Sequence, residues 1–265
     1  MSFERLEPGT PEWTAYLANH THRYAFAAEQ LARLARPGRV LDAATGVGYG
    51  AAQIADACGV EVVAVDRDEA ALAVARQKFS RARVRFEQDD CATLANGASH
   101  AAPYAAVVSF ETVEHLREPE RFVRRVGDLI APGGLLIVST PNRSVNEAQR
   151  GTWDHHEREY TAAEFEALLT SSGFQSIQLF GQRLTAMGEL RRDLRGEINR
   201  LRFNPITRLG FWIQRRLRRV SLPPALPEQP SDFEIVPLAS AADCDRQGAG
   251  GPFVIIAIAT RPGHA

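Results

Sequence analysis

The chain has 265 residues, 45% of them hydrophobic and 24% charged, with a formal net charge of −1. That composition belongs to a globular α/β-sized chain with a sizeable core, and the balanced charge excludes a general polyanion binder, although the charges are unevenly placed. Three widely spaced cysteines, Cys58, Cys91 and Cys244, argue against a disulfide framework or a cysteine zinc site.

Taken in chain order, residues 14–35 read as a helix bearing His20, His22, Arg23 and Tyr24, and residues 1–37 form an N-terminal helical cap. Its opening, MSFERLEPGTPEWT, lacks the apolar core of a signal peptide. No run in the chain approaches the roughly 18 to 20 apolar residues of a membrane span, so a cytoplasmic location is expected. From residue 38 the pattern alternates. Strands are predicted at 40–43, 61–65, 84–87, 105–110 and 135–140, with helices at 50–57, 69–79 and 119–130 between them. Thr161 and Glu164 have capping-box spacing and predict a helix over 161–172. Strands follow at 176–180 and 252–259. The pattern predicts an α/β fold with a Rossmann-like, seven-stranded, mostly parallel sheet. Residues 38–181 and 251–262 form its core, and 182–250 are an insertion before the last strand.

The first strand runs into VLDAATGVGYGAA, where Asp42 precedes Gly46, Gly48 and Gly50. Glycines here permit a tight turn and close approach of a ligand to the backbone. Asp66 ends the next strand about 20 residues on, where an acid can bind a ribose. Asp90 and Cys91 follow the third strand in FEQDDCATL, and LIAPGGLLIVSTPN lies downstream. Together these segments resemble the class I S-adenosylmethionine-dependent methyltransferases, with Ala44 where that family has its first loop glycine. The resemblance implies S-adenosylmethionine as cofactor. It implies that Gly46 and Gly48 pass close to the methionine portion and ribose, and that Asp42 orients the loop or the amino group. Asp66 would bind the ribose, Asp90 the adenine amino group with the Cys91 N–H, and Tyr24 would close over the methionine end.

SFETVEHL, Ser109 to Leu116, places Glu111, Glu114 and His115 at i, i+3 and i+4 after a buried strand. On one helical turn all three share a side at the ligand-binding edge of the sheet. His155 and His156 follow the next strand. This combination resembles metal-dependent O-methyltransferases: E-x-x-E-H, then H-x-x-E-[aromatic]-T over His156–Thr161. It is similar to small-RNA 3′-terminal 2′-O-methyltransferases, to ubiquinone-pathway O-methyltransferases, and to bacterial methyltransferases of polysaccharide and natural-product clusters. The resemblance implies Glu111, Glu114, His115 and His156 as ligands of Mg²⁺, Mn²⁺, Co²⁺ or Zn²⁺. In methyltransferases without a metal the same residues serve otherwise. His115 or His156 would then be a base or an anchor, because a neutral imidazole suits proton removal near neutral pH.

In the insertion, GELRRDLRGEINRLRFNPITRLGFWIQRRLRRV carries ten arginines against three acids, interleaved with Leu, Ile, Phe and Trp. Asn204–Pro205 predicts a break between two helices. Such a segment serves as a solvated lid, a contact with an anionic membrane, or a cradle for a phosphorylated or lipid-linked acceptor. No nucleic-acid-binding motif accompanies it. The expected activity is O-methylation of a sugar, glycan precursor or similar diol. The alternatives are metal-independent N-methylation of a small molecule, or a catalytically silent cofactor-binding partner of a membrane-associated complex.

Overall fold

Apolar residues run continuously through the central strands, and their neighbours divide between two faces. In β1 (Val40–Ala43), Leu41 and Ala43 join one hydrophobic cluster and Val40 the other. In β8 (Val254–Thr260), Ile255, Ala257 and Ala259 pack on the first side, and Val254, Ile256 and Ile258 on the second. A sheet buried on both faces needs such runs, because helices cover each side.

The computed structural model describes residues 8, 11–34, 38–96, 103–145, 156–203, 228–247 and 251–263. The remaining strands are β2 (Val62–Asp66), β3 (Val84–Gln88), β4 (Tyr104–Phe110), β5 (Ile130–Pro141), β6 (Gln175–Leu184) and β7 (Phe233–Pro237). They form one sheet in the order β3-β2-β1-β4-β5-β8-β6-β7. β1 pairs in parallel with β2 and β4, and β4 with β5; β8 runs antiparallel to β5 and β6. The expected α/β fold is therefore present with eight strands rather than seven. The extra strand is FEIVP (Phe233–Pro237), a short run just after the proline-rich connector SLPPALPEQPSD of residues 221–232, and it falls inside the expected insertion 182–250.

The helices are α1 (Pro11–Leu31), α2 (Tyr49–Cys58), α3 (Glu69–Lys78), α4 (Pro119–Leu129), α5 (Ala162–Ser171), α6 (Ala186–Phe203) and α7 (Ala241–Arg246). Pro119 opens α4, where its missing N–H costs nothing. The capping box of Thr161 and Glu164 is formed at α5. Asp245 of α7 adds to it by accepting from Ala162 N at 2.7 Å and Ala163 N at 3.1 Å.

The chain divides into two compact units. One comprises Met1–Arg5, Thr21–Arg183 and Ile235–Ala265; the other comprises Leu6–His20 and Leu184–Glu234. In the second unit α6 rests on a 3-10 turn, Pro230–Asp232. A Cβ on Gly188 would lie 2.1 Å from Asp232 O, so the close approach requires glycine. Arg191 Nε reaches Asp232 Oδ1 at 3.1 Å. The expected helix break at Asn204–Pro205, the arginines of 204–220, most of the Pro-rich connector, and His155 lie outside the described residues.

Candidate active site

Cofactor-side residues gather where β1, β2 and β3 end. The glycine loop leaves β1 with Ala44 at φ 63°, Gly46 at 58° and Gly48 at 86°. Ala44 thus holds a left-handed conformation that its Cβ disfavours by roughly 1 kcal/mol relative to glycine. Around Gly46 nothing lies within 4 Å of where a Cβ would be, whereas at Gly48 a Cβ would meet the Phe86 ring at 2.5 Å. Gly46 thus borders open space and Gly48 serves tight packing.

Asp66 is buried, with Oδ2 accepting from Gly46 N at 2.8 Å and Oδ1 from Asp68 N at 2.9 Å. These bonds tie the glycine loop to the end of β2. Asp42 is fully buried and accepts from Thr45 Oγ1 at 2.6 Å and Tyr24 Oη at 3.1 Å. Burial raises its pKa to about 6, partly offset by those two hydrogen bonds, with the Asp66 charge raising it further. The Tyr24 ring covers Gly50, where a Cβ would lie 2.0 Å from it. That ring also stands edge-on to Tyr49 and Phe110. Of the two acids after β3, Asp89 is buried and accepts from Asp90 N and Asn96 N, so it holds the turn. Asp90 is exposed and accepts from Ala92 N. Cys91 is buried against the Ala44 backbone, and its thiol is pushed up by desolvation.

The second group forms past β4 and β5. Glu111 has φ 51°, and the chain then makes a single 3-10 turn, Val113–His115. The i, i+3, i+4 reading assumed an α-helical turn and therefore does not hold here. The Glu111 carboxylate instead accepts from Ser139 Oγ at 2.7 Å. The turn is stitched to the segment before α5 by Glu157 N and Arg158 N, which donate to Glu114 O at 2.8 and 3.2 Å. Those backbone bonds bring His156 to His115, with ring centroids 5.0 Å apart and planes at 75°.

Ligand atoms of Glu114, His115 and His156 all lie within 4.8 Å of one another. Glu114 is fully buried, and Thr140 Oγ1 donates to its carboxylate at 3.3 Å to Oε2. Its other oxygen, Oε1, has no hydrogen-bond partner among the described residues. Burial holds the Glu114 pKa well above the usual carboxylate range and the Glu111 charge adds to this, while its own backbone N–H, Thr140 and Arg23 act against it. His156 Nδ1 lies 2.9 Å from Glu159 Oε1, and Glu159 is itself buried. A carboxylate on one ring nitrogen orients the other as a base or ligand.

The structure therefore brings together three of the four expected ligands and sets Glu111 on Ser139. Two residues that the sequence placed on the N-terminal helix and in the H-x-x-E motif were given no role there. Glu159 was visible only as the i+3 partner of His156. Arg23 was visible only as a neighbour of Tyr24 on the N-terminal helix; it is 1% exposed, donates to Gln182 Oε1 at 2.7 Å, and its charge acts on Tyr24, Tyr49 and Glu114. A cavity of about 340 Å³ bounded by Arg183, Leu238, Cys244 and Pro252 shares no residue with this constellation.

A glycine loop, three acids at successive strand ends and a polar cluster beyond them define an α/β methyltransferase. Residues 16–179 match the methyltransferase-domain family, and the chain belongs to it. It is 31% identical over 262 residues to a probable S-adenosylmethionine-dependent methyltransferase of Mycolicibacterium smegmatis, covering 98% of this chain and 94% of that protein. It is 31% identical over 161 residues to a ubiquinone biosynthesis O-methyltransferase of Azorhizobium caulinodans, covering 54% of this chain and 61% of that one. A SAM-dependent methyltransferase of Thermotoga maritima, described as a possible histamine N-methyltransferase, shares the fold. Its TM-score is 0.54 at 13% identity, covering 93% and 92% of the two chains. The protein is an S-adenosylmethionine-dependent methyltransferase of class I.

Proposed function

We propose that this enzyme methylates a hydroxyl group of a diol-bearing small molecule, such as a sugar or glycan precursor, and that Glu114, His115 and His156 hold a divalent cation for that reaction. The observation that carries the reading is the Glu114 carboxyl, fully buried with one oxygen unpartnered among the described residues and two imidazoles beside it. Leaving such an oxygen dry costs about 1–3 kcal/mol or more. A cation offsets that cost, and one oxygen with two nitrogens is a donor set that first-row divalent metals accept. The name borne by the Azorhizobium caulinodans relative supports oxygen as the methylated atom.

S-adenosylmethionine, when bound, supplies an activated methyl group on a sulfonium. Asp66 and Asp90 would hold its ribose and adenine, Asp42 its ammonium and Arg23 its carboxylate. Tyr24 and Phe110 exclude water beside that end. Alignment of the acceptor oxygen then supplies much of the rate. A divalent cation at Glu114, His115 and His156 would lower the pKa of a coordinated hydroxyl. The 2.9 Å contact of His156 with Glu159 favours a second reading, in which His156 itself takes the hydroxyl proton.

Calorimetric titration of Mg²⁺, Mn²⁺, Co²⁺ and Zn²⁺ into protein saturated with S-adenosylhomocysteine separates the two readings. Binding of a cation that Glu114→Ala and His156→Ala both abolish supports the metal site. If no cation binds, with or without a diol acceptor present, and activity survives a chelator, the metal reading fails and His156 becomes the base.

A further inference from the structure

His22 and Arg23 are neighbours on α1, and one side chain from a distant strand reaches both. Gln182 Oε1 accepts from Arg23 Nη1 at 2.7 Å, and Gln182 Nε2 lies 3.4 Å from His22 Nδ1. A guanidinium only donates, so it selects the amide oxygen. The amide N–H then faces His22 Nδ1, which accepts and leaves the ring proton on Nε2. Burial and the Arg23 charge lower the His22 pKa, with Glu29 acting against them, which keeps the ring neutral near neutral pH.

Strand packing explains the meeting. β5 and β6 both run antiparallel to β8, and Pro141 and Gln182 flank the same residue, Val254. Gln182 therefore stands at the sheet edge that also carries Thr140 and Glu114. Side chains two apart share one face of a strand. Phe180 meets Phe26 of α1 with ring centroids 5.0 Å apart, and Gln182, two residues on, meets His22 and Arg23 one helical turn before Phe26. Gln182 is fully buried, and its carbonyl accepts from Phe253 N at 3.1 Å. The sheet thus fixes the amide, and the amide fixes one nitrogen of the guanidinium.

An amide oxygen holds a donor without cancelling the charge behind it, whereas a carboxylate does both. The Arg23 charge acts on Tyr24, Tyr49 and Glu114, so it bears on the end of the site where the cofactor's amino-acid portion would lie. A guanidinium grips a carboxylate through two parallel N–H bonds only when its plane is set. We propose, on the reading that Arg23 binds the carboxylate of S-adenosylmethionine, that Gln182 is a positioning residue: it sets the plane of Arg23 and adds no charge that would compete with that anion.

Calorimetry with two ligands tests this. S-adenosylhomocysteine carries the carboxylate; S-adenosyl-3-thiopropylamine keeps the nucleoside and ammonium and lacks it. Arg23→Met should weaken S-adenosylhomocysteine about thirtyfold or more, and Gln182→Leu about tenfold. Gln182→Glu keeps an oxygen for Arg23 but sets a negative charge beside the ligand, and should also weaken it about tenfold. All three should bind the decarboxylated ligand within a factor of about two of the wild type. Combining Arg23→Met with Gln182→Leu should cost no more than Arg23→Met alone, because one residue acts through the other. Equal losses for both ligands, or wild-type affinity for S-adenosylhomocysteine in Gln182→Glu, would make Gln182 a packing residue and overturn the proposal. Should Gln182→Leu fail to fold, the nearly isosteric Gln182→Glu carries the test. A loss in Arg23→Met with none in Gln182→Leu removes the role of Gln182 and leaves that of Arg23 standing. Wild-type affinity in Arg23→Met overturns both.

Discussion

The two halves of the active site treat their buried carboxylates in opposite ways. On the cofactor side each buried acid is satisfied from within: Asp66 by Gly46 and Asp68, Asp89 by Asp90 and Asn96, Asp42 by Tyr24 and Thr45. Beyond β4, Glu114 is as deeply buried, yet one of its oxygens meets no donor among the described residues. Buried polar groups are almost always paired. On the reading proposed above, the first side holds its acids through the chain's own donors, and the Glu114 side is the one that takes the cation.

The strongest way to break this contrast is Glu114→Gln. A folded-state pKa raised by burial means stability that is present below the unfolded pKa and lost as pH rises through the folded one. An uncharged isostere removes that burden, so the cofactor-free variant should be more stable near neutral pH by about 1–3 kcal/mol. Turnover should meanwhile fall about a thousandfold. Thermal melts and initial rates read both. A variant that is less stable and fully active would make Glu114 a structural acid like Asp89.

Asp66→Ala probes the other side. Two backbone donors lose their acceptor, which should cost about 2–3 kcal/mol in urea melts. Cofactor affinity, read by calorimetry, should drop about a hundredfold. Here stability and binding fall together, the reverse of the Glu114 outcome.

Asp42 sharpens the contrast by pH. Its pKa is raised to about 6 from 3.8, so the cofactor-free protein should lose about 2–3 kcal/mol of stability as pH rises from about 4 to about 6. Cofactor affinity should rise through the same window as the carboxylate becomes available to an ammonium. Asp42→Asn should remove both trends. The smallest effect belongs to Ala44→Gly. It relieves the left-handed backbone at φ 63° and should stabilise the protein by about 0.5–1 kcal/mol. Affinity for S-adenosylhomocysteine should remain within a factor of about two.

Much of this was legible in the chain. Strand and helix positions follow from apolar runs and capping residues, and β1 falls at Val40–Ala43 as the pattern predicts. The positions of Asp42, Asp66 and Asp90 were legible because each lies at or near the end of a strand, where backbone topology alone carries it to one edge of the sheet. The second site was only half legible. Spacing brought Glu114 and His115 onto one turn, but the turn is 3-10 and Glu111 precedes it at positive φ, so Glu111 goes to Ser139. The strand FEIVP was hidden by its proline-rich neighbours.

Local sequence therefore determined the class of the fold and which acids stand at the ends of its first strands, because periodicity and strand ends are short-range properties. Tertiary structure alone decided that His156 meets His115 through bonds to Glu114 O, and that Arg23 lies buried against Gln182. Those contacts join residues 41 and 159 positions apart (115 to 156, and 23 to 182), where no spacing rule reaches, and only packing determines which polar atoms meet.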